Sequence, residues 1–331
     1  MMLGREVVAC VAVCATFGCT DGMRQSLAPE LAIRFQDGSG NYLQHLDNKL
    51  PGLAPVDGGV ATAAAGGAAG TDTGPTVDYE TAPGFAFQGQ ANAKFAGKLS
   101  NGAVTIGMAM SDVAPGYWVR PAGDVDPQTK AFTWSASLDI SDSVEAGYHD
   151  VTFVGVDENG TAGQQIAFPL CIKSRVPDNF NACEPSADAP AAIISLKWDT
   201  NVDLDLQVID PDGNVIDSKH RSTTPVGSKV DPNAGVIDRD SNGSCVIDGI
   251  RYENLVWNKT KPSGRYGIYV NLFDSCKQPA VHFEVSVWEA QPVADAGKKL
   301  KQYYSQSGEL MDFQANGGDG RGLFVSEFVF K

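Results

Sequence analysis

The feature that most constrains the fold is a two-residue alternation of apolar and polar side chains along much of the chain. Apolar residues occupy every second position of residues 132–140, and the pattern recurs in residues 166–172. Successive side chains of a β-strand point to opposite faces, so this period predicts strands with one apolar face. Turn-forming segments such as Glu158-Asn159-Gly160 separate the alternating runs. The sequence therefore predicts an all-β fold of short strands packed as sandwiches.

Strand-rich and strand-poor regions divide the 331 residues into five predicted segments. They are a signal peptide (1–19), a flexible tether (20–83), an immunoglobulin-like β-sandwich (84–174), a linker (175–191) and a second β-sandwich (192–331). The tether prediction rests on an alanine- and glycine-rich run with nothing to bury. Two tandem sandwiches on an exported, tethered chain are the expected architecture.

Three local predictions qualify this division. Residues 31–35, inside the tether, predict a single strand that docks on the first sandwich. Residues 194–208 predict one long strand, and residues 294–304 are the one candidate helix.

The N-terminal segment has the parts of an export signal. Arg5 precedes a short apolar run at residues 7–15, which is too short for the roughly 20 residues of a bilayer span. Gly18-Cys19 resembles the end of a bacterial lipobox, in which the cysteine is lipidated. We therefore expect a lipoprotein anchored through Cys19 at the outer membrane or cell surface. Cleavage by the ordinary signal peptidase, giving a periplasmic or secreted protein, is the alternative.

Four cysteines lie beyond the signal region: Cys171, Cys183, Cys245 and Cys276. An even number in an exported chain predicts disulfides, for which three pairings exist. The absence of C-x-x-C pairs and of histidines at ligand spacing disfavours zinc. Pairing Cys171 with Cys183 and Cys245 with Cys276 keeps each bridge within one module and stabilises each by about 3 kcal/mol. Four buried free thiols are the alternative.

Charge and motif content exclude several functions. A net charge of −15 repels nucleic acid and anionic lipid surfaces, but suits a soluble exported protein or one that binds divalent cations. The four histidines are scattered, and neither G-x-S-x-G, H-E-x-x-H nor a P-loop occurs. We therefore expect no catalysis, although a carboxylate pair suited to glycoside hydrolysis stays open.

Two acidic segments predict a calcium site. Alternation sends Leu204 and Leu206 to one face of a strand, so Asp203 and Asp205 share the other face, about 7 Å apart. Such a pair repels unless a hard cation binds it. Solvated carboxylates on a polar strand face are the alternative.

The second acidic segment, residues 238–243, resembles the first half of a calcium loop. Asp238, Asp240 and Asn242 offer oxygen ligands at alternate positions, and a glycine follows for the sharp turn. Gly249 stands where an EF-hand has its bidentate glutamate, so a β-type site completed by Asp248 or Glu253 is the form to expect.

A family resemblance covers roughly residues 193–290. Its motifs begin with the acidic run in residues 198–213, with Val-Asp-Leu-Asp-Leu and Asp-Pro-Asp-Gly. They continue with Asp238-x-Asp240, Tyr252-Glu253-Asn254, and Pro-Ser-Gly-Arg-Tyr-Gly-Ile-Tyr-Val-Asn at residues 262–271. Together they look like the YfaP-related exported β-sandwich domain of bacterial envelope proteins. The resemblance implies a β-sandwich and no reaction. Beside it, Cys245 and Cys276 look like additions able to pin the acidic loop to a strand.

The expected function is a non-catalytic structural or surface-interaction role in the cell envelope, with calcium as the candidate cofactor and an envelope protein or glycan as partner. A carbohydrate-binding module, or an accessory domain of an envelope hydrolase, is the alternative. Trp288 supports it, because Trp288 falls on the polar face of its strand with Glu284 and Ser286 and can stack on a sugar ring. Other aromatic residues on strands are more often core.

Overall fold

The computed structural model describes residues 32–37, 40–46, 49–52, 74–100, 102–229, 231–292 and 298–331. The predicted signal peptide with its lipidation site Cys19, and most of the predicted tether, lie outside these residues. The described chain is built of β-strands and contains no α-helix, which confirms the all-β prediction. No helix in these ranges has the length and hydropathy that a membrane crossing requires.

The described strands follow one another in two groups. The first group is β1 Ile33–Asp37, β2 Gly40–Asn41, β3 Leu43–His45, β4 Val77–Thr81, β5 Phe85–Phe87, β6 Ala93–Leu99, β7 Ala103–Ala109, β8 Tyr117–Pro121, β9 Phe132–Ile140, β10 Gly147–Asp157 and β11 Ile166–Lys173. The second group is β12 Ala192–Trp198, β13 Asp203–Ile209, β14 Val215–Ile216, β15 Val236–Ile237, β16 Tyr252–Trp257, β17 Gly264–Asp274, β18 Ala280–Pro292, β19 Lys298–Met311 and β20 Leu323–Phe330. Two short 3-10 turns, Gly243–Cys245 and Asp312–Gln314, interrupt the second group.

The first group forms two facing sheets. Their strand orders are β2-β1-β9-β6-β4 and β3-β8-β7-β10-β11-β5, and β5 runs parallel to β11. Phe35 and Phe95 from the first sheet and Met108 and Phe153 from the second belong to one buried hydrophobic cluster. The alternation in the sequence thus places the apolar face of each sheet against the other.

The second group repeats this arrangement with β15-β16-β12-β18-β19 against β14-β13-β17-β20. Leu196 and Val285 from one sheet, and Leu204 and Val270 from the other, share a second buried cluster. A sandwich is therefore present in each half of the described chain.

The predicted tether is partly wrong. β1 pairs with β9, with Phe35 opposite Leu138, so the strand expected at residues 31–35 does dock on the first sandwich. β4 lies at the edge of the same sheet, paired with β6. Both segments bury apolar side chains that a free tether leaves exposed, such as Phe35 and Val77.

Two local predictions in the second half are also wrong. The strand expected at residues 194–208 is two strands, because a bend at residues 199–201 carries the chain from one sheet to the other. The candidate helix at 294–304 is replaced, in its described part, by the strand β19. The backbone of β19 pairs with β18 from Lys298 to Met311, and this pairing outweighs any local helical preference.

Both predicted disulfides are present. Cys171–Cys183 joins β11 to the segment that follows it, and Cys245–Cys276 joins the first 3-10 turn to the loop after β17. Disulfides persist in oxidising compartments, so the pair indicates an exported, non-cytoplasmic protein.

The two sandwiches meet through the loop that precedes β16. Arg239 of this loop lies over the rings of Phe87 in the first half and Tyr252 in the second, at 4.4 and 4.6 Å from the ring centroids. Ala91 donates its N–H to the carbonyl of Gly249 at 3.1 Å. A Cβ on Gly249 would lie 2.3 Å from the Ala91 carbonyl oxygen, and its φ is +80°, so this junction requires glycine.

Candidate cation site

Strand β13 presents its acidic residues as the alternation predicts, but the acids are buried. Leu204 and Leu206 face the core, while Asp203 and Asp205 on the other face are only 3% and 4% exposed. Neighbouring loops cover that face. Ser244 donates its N–H to Asp203 Oδ2 at 2.6 Å, and the side chain of Ser218 hydrogen-bonds to Asp205. The solvated alternative therefore does not describe these two aspartates.

Asp240 joins the pair from the loop before β16. Asp203, Asp205 and Asp240 each offer one carboxylate oxygen, and these three atoms lie within 4.8 Å of one another. Oxygen ligands of a calcium ion lie about 2.4 Å from it, so two of them are at most about 5 Å apart. The three oxygens thus have the separations that one ion can satisfy.

Basic residues close in sequence are engaged elsewhere. Arg239 pairs with Asp238 at 3.2 Å, and His220 lies 3.4 Å from Asp217. Lys219 donates to the Gly318 carbonyl at 3.2 Å. Within the described residues, none of the three clustered carboxylates forms an ion pair, although Lys219 lies close enough to Asp205 to offset part of its charge.

Glu253, on β16, forms the base of the cluster. It is fully buried, and its carboxylate accepts the N–H of Leu206 at 2.8 Å and the N–H of Ser241 at 3.2 Å. One side chain therefore ties a strand of each sheet to the acidic loop. Burial, with repulsion from Asp205 and Asp240, raises the pKa of Glu253 well above its usual range.

The same forces act on the strand aspartates. Burial, followed by repulsion from Asp205 and other carboxylates, raises the pKa of Asp203 from 3.8 to about 7. Burial, with repulsion from Asp240 and Asp217, raises the pKa of Asp205 from 3.8 to about 6. Raised pKa values mean that these acids resist ionisation together unless a positive charge joins them.

A neutral oxygen that could serve as a ligand lies beside Asp205. Asn271 lies directly opposite Asp205 in the β13–β17 pairing and is 4% exposed. Its Oδ1 is buried and, among the described residues, has no hydrogen-bond partner. Asn271 and Asp205 line one cavity of about 10 Å³, together with Gln207, Asp217, Ser218, Lys219 and Gly318. That space is about the size of a single water molecule.

Asp238 and Asn242, two of the predicted ligands, are not brought to the cluster. Asp238 accepts the N–H and the side-chain N–H of Asn254, each at 3.0 Å, besides pairing with Arg239. Asn242 is fully buried, donates to the Val202 carbonyl and accepts the N–H of Asp248. Their oxygens hold the loop in shape, and Asp240 alone turns toward the strand aspartates.

A second acidic group, near Asp274, is not a metal site of the same kind. Its other two members, Cys245 and Cys276, are bonded to each other as a disulfide. Disulfide sulfurs are not the thiolate ligands that metals take. The bridge instead fixes the turn that carries Ser244 beside Asp203.

Three tryptophans of the described chain separate into core and surface. Trp118 and Trp257 are 1% and 2% exposed and belong to the two different cores. Trp288 is half-buried, and its indole N–H donates to Ser286 Oγ at 2.8 Å. Of these tryptophans, Trp288 keeps exposed ring surface, in a groove beside β19.

Comparisons with known proteins give no assignment. No family model matches the chain, and no curated protein does. Among solved structures, the chain is similar to the fibronectin(III)-like modules of Clostridium thermocellum CbhA, at 10% sequence identity, over 72% of this chain and 93% of that chain, with a TM-score of 0.19. A likeness this weak carries no argument about function. The resemblance of residues 193–290 to YfaP-related domains stays a prediction.

Sequence reasoning found part of the cluster. It singled out Asp203, Asp205 and Asp240, and it offered Glu253 as a residue that completes the site. It missed Asn271, which belongs to an ordinary strand sequence. No pattern within a single strand marks Asn271, because its place opposite Asp205 depends on the register of β13 on β17.

Proposed function

We propose that this chain is a non-catalytic structural protein of the cell envelope whose second sandwich is stabilised by a calcium ion. The carrying observation is the convergence of Asp203, Asp205 and Asp240, two of them buried, with no ion pair to balance them within the described residues. Asn271 supplies the neutral oxygen that calcium sites commonly include.

Calcium fits this ligand set better than the smaller magnesium ion. The donors are carboxylate and amide oxygens from two neighbouring strands and a loop, with one side open to solvent at Asp240. Calcium accepts six to eight oxygens in irregular geometry, whereas magnesium requires near-octahedral geometry and retains its water. Without an ion, the buried acids relieve their repulsion only by taking up protons.

The bound ion also has a structural consequence at the junction between the sandwiches. Asp240 follows Arg239, which lies over the rings of Phe87 and Tyr252. The same loop ends at Gly249, which accepts the N–H of Ala91. An ion that holds Asp240 against β13 restrains the whole loop and, through it, the packing of the first sandwich on the second.

The proposed location is the outer membrane or the cell surface. The two disulfides support export. Anchoring through Cys19, after removal of residues 1–18, is proposed on the lipobox resemblance of Gly18-Cys19. In this setting the rigid pair of sandwiches displays a surface to an envelope protein or glycan.

Thermal unfolding of the full chain tests the calcium proposal. Calcium at about 100 times its dissociation constant stabilises the folded state by about 2.7 kcal/mol, so the melting temperature should rise when calcium replaces EGTA. Magnesium should produce a smaller rise. Asp203→Asn combined with Asp240→Asn should abolish the rise. The control Asp212→Asn, which removes one charge from an exposed turn of the same half, should keep it.

A melting curve that is the same in EGTA and in calcium contradicts the proposal. So does an equal calcium response in the wild type and in the Asp203→Asn, Asp240→Asn variant. Either result would indicate that the acids of the cluster bind no calcium and remain protonated in the folded protein.

A further inference from the structure

A second concave site lies between the segment that follows β11 and the strands β18 and β19. The groove has a volume of about 270 Å³ and is separate from the acidic cluster. Its lining joins residues 174–189 to Trp288 and Leu300 of the second sandwich. Small-molecule sites begin at about 300 Å³, so the groove suits a small ligand rather than a polymer chain along its whole length.

The floor of the groove is apolar and aromatic. Trp288 and Leu300 pack against a small buried cluster of Val176, Ile193 and Val256, which supports them from below. The hydrogen bond from the Trp288 indole N–H to Ser286 fixes the plane of the ring. The ring is therefore held in one orientation, with part of its surface facing the groove.

The rim of the groove carries both donors and acceptors. Asp178 uses Oδ2 to accept the N–H of Ala182 at 3.0 Å, and the backbone N–H of Phe180 also hydrogen-bonds to this carboxylate, which is the acceptor on the rim. Lys299 is exposed on β19 and, within the described part of the chain, forms no ion pair. Arg175 lies 3.5 Å from Asp142, which takes up part of its charge. The rim is thus polar and of mixed sign.

The wall formed by residues 174–189 is held in place before any ligand binds. The disulfide Cys171–Cys183 ties it to the first sandwich. Asn181 donates its side-chain N–H to the carbonyl of Ala187, and Asn179 donates to the carbonyl of Asp188 at 3.1 Å. A wall ordered in advance loses little entropy on binding, which favours affinity in a small site.

We propose that this groove binds a neutral saccharide of one or two rings, with one ring stacked on Trp288. A pyranose ring offers an apolar C–H face for the indole and hydroxyl groups that both donate and accept, which matches Lys299 and Asp178 on the rim. A neutral ligand is favoured because the rim has both signs and the chain carries a net charge of −15, which repels polyanions. This site goes beyond the calcium proposal and does not depend on it.

Titration of the full chain with cellobiose, maltose and N,N′-diacetylchitobiose, followed by saturation-transfer NMR and calorimetry, tests the proposal. At least one of these sugars should bind with a dissociation constant of about 1 mM or below. Trp288→Ala should weaken that binding about tenfold or more. Tyr303→Ala, which removes an aromatic side chain 46% exposed on β19 outside the groove lining, should leave it unchanged.

If Trp288→Ala lowers the melting temperature of the protein, two variants at the rim of the groove still test the proposal. Asp178→Asn and Lys299→Ala change the groove at half-buried and exposed positions, and each should weaken the same binding severalfold. Absence of binding by all three sugars overturns the proposal. So does binding that withstands Asp178→Asn and Lys299→Ala, or that is lost in Tyr303→Ala.

Discussion

Removing the charge of Asp203 should stabilise the protein in the absence of calcium. Burial and nearby carboxylates raise its folded-state pKa from 3.8 to about 7, so the folded state favours the protonated, neutral form. The stability linked to that proton is present below the unfolded pKa and is lost as the pH rises through about 7. In the Asp203→Asn variant the amide is neutral at every pH, and its oxygen can still accept the N–H of Ser244. The variant should therefore not lose this stability as the pH rises.

The size of the effect follows from the pKa shift. One pKa unit corresponds to about 1.4 kcal/mol, so the full shift of Asp203 is worth about 4 kcal/mol. Burial is the largest cause of that shift, and repulsion from Asp205 and Asp240 adds to it; solvent near the exposed Asp240 screens part of this repulsion. We therefore expect Asp203→Asn to exceed the wild type by about 2 kcal/mol at about pH 8, with little difference near pH 4.

Urea unfolding in EGTA across this pH range measures the difference in the free energy of unfolding directly. In saturating calcium the order should reverse, because only the wild type retains the complete ligand set. The reasoning is refuted if Asp203→Asn is less stable than the wild type in EGTA at every pH. A difference that does not change with pH would also refute it, because the carboxylate would then have an ordinary pKa.

Three further predictions address the surrounding structure. Glu253→Gln should lower the free energy of unfolding in calcium by about 1 to 3 kcal/mol in urea titrations, because an amide accepts only one of the two backbone N–H bonds that the carboxylate accepts. Replacing Cys245 and Cys276 by serine should weaken calcium binding in calorimetry, because the turn beside Asp240 loses its covalent tie; unchanged affinity would show that the bridge does not support the site. Cys19→Ala should abolish labelling by a palmitate analogue and release the protein from the membrane fraction, and persistent membrane association would exclude the lipoprotein assignment.

The sequence predicts the faces of β13 but not their environment. The two-residue period places Leu204 and Leu206 in the core and Asp203 and Asp205 opposite them, as observed. The burial of the acids depends on loops that return from distant positions, such as the one carrying Ser244. A pattern within one strand does not show which distant loops will bury its polar face.

The acidic loop shows a similar limit. The alternate spacing of Asp238, Asp240 and Asn242 predicts all three residues as ligands. Only Asp240 reaches the cluster. The other two form hydrogen bonds with buried backbone and side-chain groups, and the tertiary structure decides which groups need such partners. Asn271 could be found only from the register of β13 on β17, which no single-strand pattern supplies.

The number of calcium ions bound by the full chain can be counted by equilibrium dialysis and by calorimetry. We expect one ion per chain at millimolar calcium, with release of protons near pH 6 to 7 as Asp203 and Asp205 ionise. Asp203→Asn should weaken binding strongly, and the exposed control Asp212→Asn should not. No bound calcium, or equal binding by both variants, would contradict the account.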